Sequence, residues 1–226
     1  METHMDRTID FSRKQYFLFD MDGTLADSTW LWDGFLENFL TKFQEKADAE
    51  AQHIFDSRSL VESAEYIARR YNIPLSGKTV FNVWTEEILN NYQTKIRLKK
   101  GAANYLDYLK SNGKSLALVT ANHRDLAVGC LKNNHVLGLF DLLVCGDEME
   151  VDKSDPEYYR FAIRQISGNA ERAVLFEDIR TALMTAKQIP IDTVIMEDVS
   201  AKSDRDFLMD KADLYIRDFE EGWLWA

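Results

Sequence analysis

Short runs of apolar residues recur along the chain and predict β-strands. The clearest runs are 16–19, 116–119, 142–145, 173–176 and 193–196, and a weaker one spans 214–216. Near-continuous apolar runs of this length are typical of strands that are buried on both faces of a parallel sheet. Between them, apolar residues follow helical spacing, as in 102–110 before Gly113 and in 159–166 after Pro156. Strands that alternate with helices in this way predict an α/β fold.

The pattern changes between Asp27 and Lys99, where no strand is predicted. Three amphipathic stripes cover residues 36–43, 60–71 and 80–92. Ser59 and Glu62 have the spacing of a capping box at the start of the second stripe. We expect the apolar faces to pack against one another rather than to bind a ligand. The sequence therefore predicts a core of residues 14–26 and 100–226, with a helical insertion of residues 27–99 after the first strand.

Charge and composition indicate which kinds of molecule the chain is expected to bind. The chain has 226 residues and a formal net charge of -11, from 27 Lys and Arg against 38 Asp and Glu. This charge disfavours nucleic acid and anionic membrane surfaces as partners, because like charges repel. No run approaches the ~20 apolar residues of a membrane span, and the N-terminus does not resemble a signal peptide, so we expect a cytoplasmic protein. We further expect a monomer or weak dimer, with Cys130 and Cys145 as reduced, buried thiols.

The segment Asp20-Met21-Asp22-Gly23-Thr24 carries the strongest chemical signal, directly after the first apolar run. Ligands and catalytic groups of open α/β sheets lie at the carboxyl ends of the strands. Gly23 permits the tight turn that such a position requires. Two carboxylates this close suit different roles, with one ionised as a nucleophile or metal ligand and the other handling protons.

Three further polar positions follow other predicted strands. Thr120-Ala121-Asn122 offers a hydroxyl and backbone N–H groups to phosphate oxygens. Lys153 precedes a helix and can place a positive charge on a phosphoryl group. Glu177 and Asp178 suit Mg²⁺, which prefers oxygen ligands. Each signal alone also fits ordinary structure, such as an acidic helix N-terminus. Together, at the ends of different strands, they predict one site.

These motifs resemble those of the haloacid dehalogenase (HAD) superfamily, from Tyr16 to about Glu221. The four matching segments are 17–25, 118–122, Lys153 with Pro156, and 175–178. The Glu177-Asp178 pair resembles the form of the fourth motif that is common in the branch of beta-phosphoglucomutase and phosphoglycolate phosphatase. The resemblance implies a Rossmann-like, HAD-like parallel-sheet core, and it implies that the helical insertion is a cap that closes over the site and selects the substrate.

The resemblance also implies a role for each site residue. Asp20 would be the nucleophile and Asp22 the general acid and base. Thr120, Ala121, Asn122 and Lys153 would bind the transferring phosphoryl group. Mg²⁺ would be held by Asp20, the backbone carbonyl of Asp22, Asp178 and Glu177. The implied activity is a Mg²⁺-dependent phosphatase that acts on a small phosphorylated metabolite through an aspartyl-phosphate.

Two departures from the family pattern stand near these residues. The third motif reads Asp152-Lys153-Ser154 where such members often have Gly-Lys-Pro. The resemblance therefore does not predict the conformation of the loop around Lys153. Ile179 and Ala182 stand where Ser and Gly are usual. Neither departure removes a catalytic group.

Four alternative functions are weighed against the phosphatase. A phosphomutase would need a cation in the helical insertion to grip a second phosphate, and Arg58 is the candidate, although a solvated helix start also explains it. A noncatalytic HAD-like binding protein would be expected to lack Asp20, Lys153 or Asp178, and all three are present. Relatives that are 2-haloacid dehalogenases do not need the acid at Asp22, and relatives that hydrolyse phosphonates typically lack it, so the presence of Asp22 disfavours both activities.

Overall fold

The computed structural model of the chain describes residues 9–166 and 168–225, and its core is a six-stranded parallel sheet. The strands are β1 (Tyr16–Phe19), β2 (Ala26–Asp27), β3 (Arg97–Leu98), β4 (Ser115–Thr120), β5 (Leu142–Cys145), β6 (Ala173–Glu177), β7 (Asp192–Met196) and β8 (Leu214–Ile216). The sheet order is β5-β4-β1-β6-β7-β8, and β2 pairs with β3 in a separate two-stranded ribbon. All six predicted strands are confirmed, within two residues at each end.

Helices cover both faces of the sheet and fill the helical insertion. The insertion contains α1 (Thr29–Asp33), α2 (Phe35–Thr41), α3 (Ala49–Ser57), α4 (Leu60–Arg70) and α5 (Gly77–Thr94). The core contains α6 (Ala102–Ser111), α7 (Arg124–Asn133), α8 (Pro156–Gln165), α9 (Arg180–Ala186) and α10 (Arg205–Lys211). No helix among the described residues is long and apolar enough to cross a membrane.

The central strand β1 shows why the apolar runs form strands. Phe17, Leu18 and Phe19 are completely buried. Because side chains alternate along a strand, the two phenylalanines belong to the apolar cluster on one face and Leu18 to the cluster on the other. Phe19 stacks on Phe176 of β6 with ring centroids 4.6 Å apart. A run that is apolar at every position is therefore what this strand requires.

The position of β1 brings three strand ends together. It lies between β4 and β6, with Phe19 paired to Leu118 on one side and to Phe176 on the other. All three strands are parallel and in register, so the residues that follow them emerge at the same edge of the sheet. The segments after β1, β4 and β6 are those in which the sequence placed polar site residues.

The helical insertion has its own aromatic centre. Trp84 is fully buried and packs edge-to-face against Phe35, Phe39 and Phe55. The predicted stripes correspond to α2, α4 and α5, and the capping box at Ser59 is present in full. The prediction that this region has no strand was wrong at its ends, where β2 and β3 form. It also overlooked α1 and α3. The division into two domains stays a prediction.

The insertion begins and ends at the two-stranded ribbon, which is tied to the sheet by Lys99. The backbone N–H of Lys99 donates to the Leu25 carbonyl at 2.8 Å, and its Nζ lies 2.6 Å from Asp198 Oδ2, just beyond β7. Burial alone would raise the pKa of Asp198, but hydrogen bonds from Lys99 and Ser200 lower it below its usual value. The ion pair is thus a fixed contact between the ribbon and the core.

We expect Lys99→Met to lower the free energy of unfolding by about 3 kcal/mol, because it leaves the buried Asp198 carboxylate without its partner. Urea unfolding at pH 7 measures the change. Lys95→Met is the matched control, because Lys95 is exposed at the end of α5, and it is expected to change stability by less than about 0.5 kcal/mol. Equal effects of the two substitutions would contradict a structural role for the ion pair.

Candidate active site

A cavity of about 370 Å³ lies at the carboxyl ends of β1, β4 and β6. All eight site residues that the sequence predicted in the core line it: Asp20, Asp22, Thr120, Ala121, Asn122, Lys153, Glu177 and Asp178. Thr29 and Trp32 of the helical insertion line it as well. The four motifs, which are far apart in sequence, therefore meet in one place.

Asp20 directly follows β1 and lines the cavity together with Lys153, Glu177 and Asp178, and these four residues are called the cavity floor below. The backbone N–H of Asp20 donates to the Phe176 carbonyl at 2.9 Å, which continues the pairing of β1 with β6. Its Oδ1 lies 2.5 Å from Nζ of Lys153, which also forms an ion pair with Glu177. Burial raises the pKa of Asp20 to about 7, with a further contribution from Glu177, despite the opposing effect of Lys153. A cation beside this carboxylate would favour its ionised form.

The carboxylates of Asp20, Glu177 and Asp178 form a cluster that fits a divalent cation. Their nearest oxygens lie within 4.8 Å of one another, and all three residues are buried. Burial, followed by the charges of Glu177 and Asp20, raises the pKa of Asp178 well above its usual value. Buried like charges are costly without a counter-ion, and oxygen donors are those that Mg²⁺ prefers. Thr24 donates to Asp178 Oδ1 at 3.0 Å and helps to orient it.

Gly23 allows the turn after β1 to approach this cluster. Its φ is +78°, in the left-handed region that favours glycine. A Cβ at this position would lie 2.3 Å from Asp178 Oδ2 and 3.3 Å from the carboxyl carbon of Asp198. The backbone of the turn therefore packs directly against a predicted metal ligand, which explains why the motif needs glycine here.

Asp22 is held by hydrogen bonds at both carboxylate oxygens. Its Oδ1 accepts from the hydroxyls of Ser28 and Tyr92, each at 2.5 Å, and its Oδ2 accepts from the side-chain amide of Asn122. Burial raises the pKa of Asp22, while these three donors act in the opposite direction. The carboxyl group is thus fixed in orientation above the cavity, as a proton-transfer group must be.

Sequence reasoning missed Ser28 and Tyr92 as site residues. Tyr92 was assigned to the apolar stripe of α5, and it is indeed fully buried, but its hydroxyl contacts Asp22 and also accepts from Asn122 at 3.3 Å. Burial and the charge of Asp22 raise the pKa of Tyr92, so the phenol stays protonated and donates. A hydroxyl at the end of an otherwise apolar stripe was the available signal.

The segment that follows β4 is braced from two sides. Thr120 is almost completely buried, and its Oγ1 accepts from the Asn122 N–H at 3.2 Å. Tyr158 of α8 donates to the Thr120 carbonyl at 2.6 Å. Gly146 approaches so closely that a Cβ there would lie 2.2 Å from the Ala121 carbonyl oxygen. This segment is therefore rigid before any ligand binds.

The unusual third motif still delivers Lys153 to the site. The Asp152 carboxylate accepts from the N–H and the hydroxyl of Ser154, at 2.8 and 2.5 Å, which closes a local turn around the lysine. Asp155 then caps α8. Burial by itself would lower the pKa of Lys153, but the charges of Asp20 and Glu177 raise it well above its usual value. The lysine is thus a permanent cation on the cavity floor.

Arg58 does not reach the cavity. It follows the last residue of α3, its side chain is exposed, and it is absent from the cavity lining. This position fits a solvated helix boundary. It does not fit the binding of a second phosphate, which the mutase alternative requires of Arg58.

Comparison with known proteins shows which family has a similar sequence. Residues 17–196 match the family model of haloacid dehalogenase-like hydrolases. A phosphorylated carbohydrates phosphatase from Thermotoga maritima is 24% identical over 181 residues, which are 78% of this chain and 82% of that protein. (DL)-glycerol-3-phosphatase 2 from Arabidopsis thaliana is 24% identical over 217 residues, which are 92% of this chain and 90% of that protein.

A solved structure shows the same fold. A variant of CbbY from Rhodobacter sphaeroides, in complex with xylulose-(1,5)bisphosphate, superposes with a TM-score of 0.72. The match covers 92% of this chain and 96% of that chain, with 22% sequence identity. The predicted fold class is confirmed by this likeness together with the parallel sheet.

We expect Gly23→Ala to weaken Mg²⁺ binding at least about tenfold, because the added methyl group collides with the Asp178 carboxylate and strains the turn. Isothermal titration calorimetry with MgCl₂ measures the change without any substrate. Gly138→Ala is the matched control, because a Cβ at Gly138 meets nothing within 4 Å. Unchanged Mg²⁺ affinity in a folded Gly23→Ala protein would place the metal away from Asp178.

Proposed function

This chain belongs to the haloacid dehalogenase-like hydrolase family, and we propose that it is a Mg²⁺-dependent phosphatase of a small phosphorylated metabolite, which reacts through an aspartyl-phosphate on Asp20. The observation that carries the proposal is the convergence of Asp20, Asp22, Lys153 and the two acids at the end of β6, Glu177 and Asp178, in one cavity. The phosphatase names of the two curated relatives support it.

The cavity floor would hold the phosphoryl group. Lys153 would bind one of its oxygens as a cation, and the Thr120 hydroxyl with the following backbone N–H groups would bind the others. Mg²⁺, held by Asp20, Glu177, Asp178 and the Asp22 carbonyl, would supply Lewis-acid stabilisation of the charge that develops on the phosphoryl oxygens. With Mg²⁺ near Asp20, its carboxylate would be ionised and able to act as the nucleophile.

The two carboxylates of the first motif would divide the chemistry between them. An Asp20 oxygen attacks phosphorus while the bond to the leaving oxygen breaks, and Asp22 gives that oxygen its proton. Asp22, now a carboxylate, then takes a proton from water as the water attacks phosphorus. The bond between Asp20 and phosphorus breaks, which releases inorganic phosphate and restores the enzyme.

Water is the acceptor that the site supports best. A mutase must hold a second phosphate on its substrate, and the candidate for this role, Arg58, is exposed and away from the cavity. The insertion residues that do line the cavity, Thr29 and Trp32, are uncharged. Product analysis with hexose monophosphates and a trace of hexose bisphosphate separates the activities, since a mutase would isomerise the sugar faster than it releases phosphate.

We expect Asp20→Asn to lower kcat by several orders of magnitude while the protein stays folded, because it removes the nucleophile. Release of inorganic phosphate from 4-nitrophenyl phosphate, with and without MgCl₂, measures the loss. Asp33→Asn is the matched control, because Asp33 is an exposed acid of α1 outside the cavity lining. Near-normal kcat in Asp20→Asn would refute the mechanism, and an inactive wild-type protein would favour the noncatalytic alternative.

Tyr92 provides a test of the proton-transfer step. We expect Tyr92→Phe to lower kcat/KM for glycerol 3-phosphate about tenfold, because the loss of one charge-assisted hydrogen bond loosens the Asp22 carboxyl group. The kcat/KM for 4-nitrophenyl phosphate, which does not include the later attack of water on the aspartyl-phosphate, should change by less than about threefold, because 4-nitrophenolate leaves without a proton.

The control for this variant is Tyr66→Phe, which removes a phenol of α4 that has Glu50 and Arg70 as neighbours. Wild-type kinetics are expected. Equal losses on both substrates in Tyr92→Phe would show that Tyr92 acts only through the packing of the insertion.

A further inference from the structure

We infer that the substrate of the proposed phosphatase has an uncharged leaving group with an apolar face, which packs between Trp32 of the helical insertion and Ile179 of the core. This inference rests on the proposed function and specifies the class of phosphate monoester. It concerns the part of the cavity beyond the phosphoryl-binding floor.

One wall of this part comes from the helical insertion. Trp32 lies in α1 and lines the cavity, one helical turn beyond Thr29, which also lines it. The side chain of Trp32 is half-buried and also interacts with the Tyr92 hydroxyl, so it is anchored beside Asp22. An aromatic ring at this position offers a large, rigid apolar surface near the point where the leaving group departs.

A second part of the lining comes from the segment after β6. Ile179 and Ala182 line the cavity at the positions where the motif resemblance led us to expect Ser and Gly. Ile179 is 43% exposed, although a large aliphatic side chain at a strand end gains from burial. Val199, which precedes the cavity residue Ser200, is 73% exposed. Val199 adjoins the lining in sequence only, whereas Ile179 is an exposed apolar side chain within the lining, which is typical of a ligand-binding surface.

The charges of the cavity indicate a neutral leaving group. Among the residues that the structure describes, its lining contains four carboxylates and one cation, Lys153, which already forms ion pairs with Asp20 and Glu177. With a divalent cation bound and Asp22 protonated, as its role as acid requires, the lining has no net positive charge, and the phosphoryl group of the substrate then adds negative charge. A second anionic group on the substrate would lie near Asp22, between Trp32 and Ile179, with no charge to compensate its loss of hydration.

The apolar residues and the charges of the lining each predict a property of the substrate. A neutral aryl or alkyl group should gain affinity from contact with Trp32 and Ile179. A carboxylate or second phosphate on the same group should lose it. The preferred substrates are therefore monophosphates whose alcohol is uncharged and partly apolar.

A matched pair of probes tests the charge. Wild-type kcat/KM is measured for 4-carbamoylphenyl phosphate and 4-carboxyphenyl phosphate, which have similar shape and differ in one negative charge. We expect the neutral ester to be preferred at least about tenfold. The Kd of the Asp20→Asn variant for each ester, measured by calorimetry with MgCl₂ present, should show the same preference without turnover.

Two alanine substitutions test the contacts of Trp32 and Ile179 with the leaving group, and two further substitutions serve as controls. Trp32→Ala and Ile179→Ala should each lower, by about tenfold, the ratio of kcat/KM for 4-carbamoylphenyl phosphate to that for acetyl phosphate, whose leaving group is smaller than an aryl ring. Trp30→Ala and Met184→Ala are the controls. These residues are 47% and 44% exposed, as apolar as their counterparts and outside the cavity lining, so the ratio should stay at the wild-type value.

The outcomes separate this inference from the proposed function. Hydrolysis of both esters at equal kcat/KM, or a preference for the carboxylate, would overturn the inference while leaving the phosphatase intact. An equal effect of Trp30→Ala and Trp32→Ala on the ratio would also overturn it. Absence of phosphate release from every probe would refute the proposed function itself. If an alanine variant does not fold, as shown by circular dichroism, the wild-type pair still decides.

Discussion

The repulsion among buried carboxylates is the constraint around which this site is built. Asp20, Glu177 and Asp178 bring their oxygens within 4.8 Å of one another inside the protein, where water screens them poorly. Lys153 offsets part of this repulsion by pairing with two of the three. The carboxylates stay close together because the strands that carry them are fixed by the register of β1 with β4 and β6. The core thus holds charges where a cation and a phosphoryl group can use them.

Asp22 differs from these three acids because both parts of the protein hold it. Asn122 belongs to the core, whereas Ser28 and Tyr92 belong to the helical insertion. The insertion therefore does more than cover the cavity, because its own hydroxyls orient the group that is proposed to move protons. This shared contact links the position of the insertion to the readiness of the site for reaction.

The sequence predicted those features that local patterns determine. The strands appeared as apolar runs because the sheet buries both of their faces, and the site residues appeared as polar positions directly after those runs. Features set by distant partners were not predictable in this way. The ribbon of β2 and β3 pairs Ala26 with Leu98, far along the chain, and each strand has two residues. The contact of Tyr92 with Asp22 likewise depends on how α5 docks on the core. The turn around Lys153 replaces Gly and Pro by a side-chain hydrogen bond, which a motif pattern does not represent.

The ribbon also bears on how such a protein can change over evolution. The chain leaves the core and returns to it at paired residues, Asp27 opposite Arg97, so the two ends of the insertion are fixed side by side whatever lies between them. Lengthening or shortening a closed loop adds little to its entropic cost. Helices of the insertion that do not carry the contacts of Ser28 and Tyr92 with Asp22 can therefore be lost, gained or resurfaced without disturbing the strands that carry the carboxylates. The chemistry and the choice of substrate are thereby free to diversify at different rates within one chain.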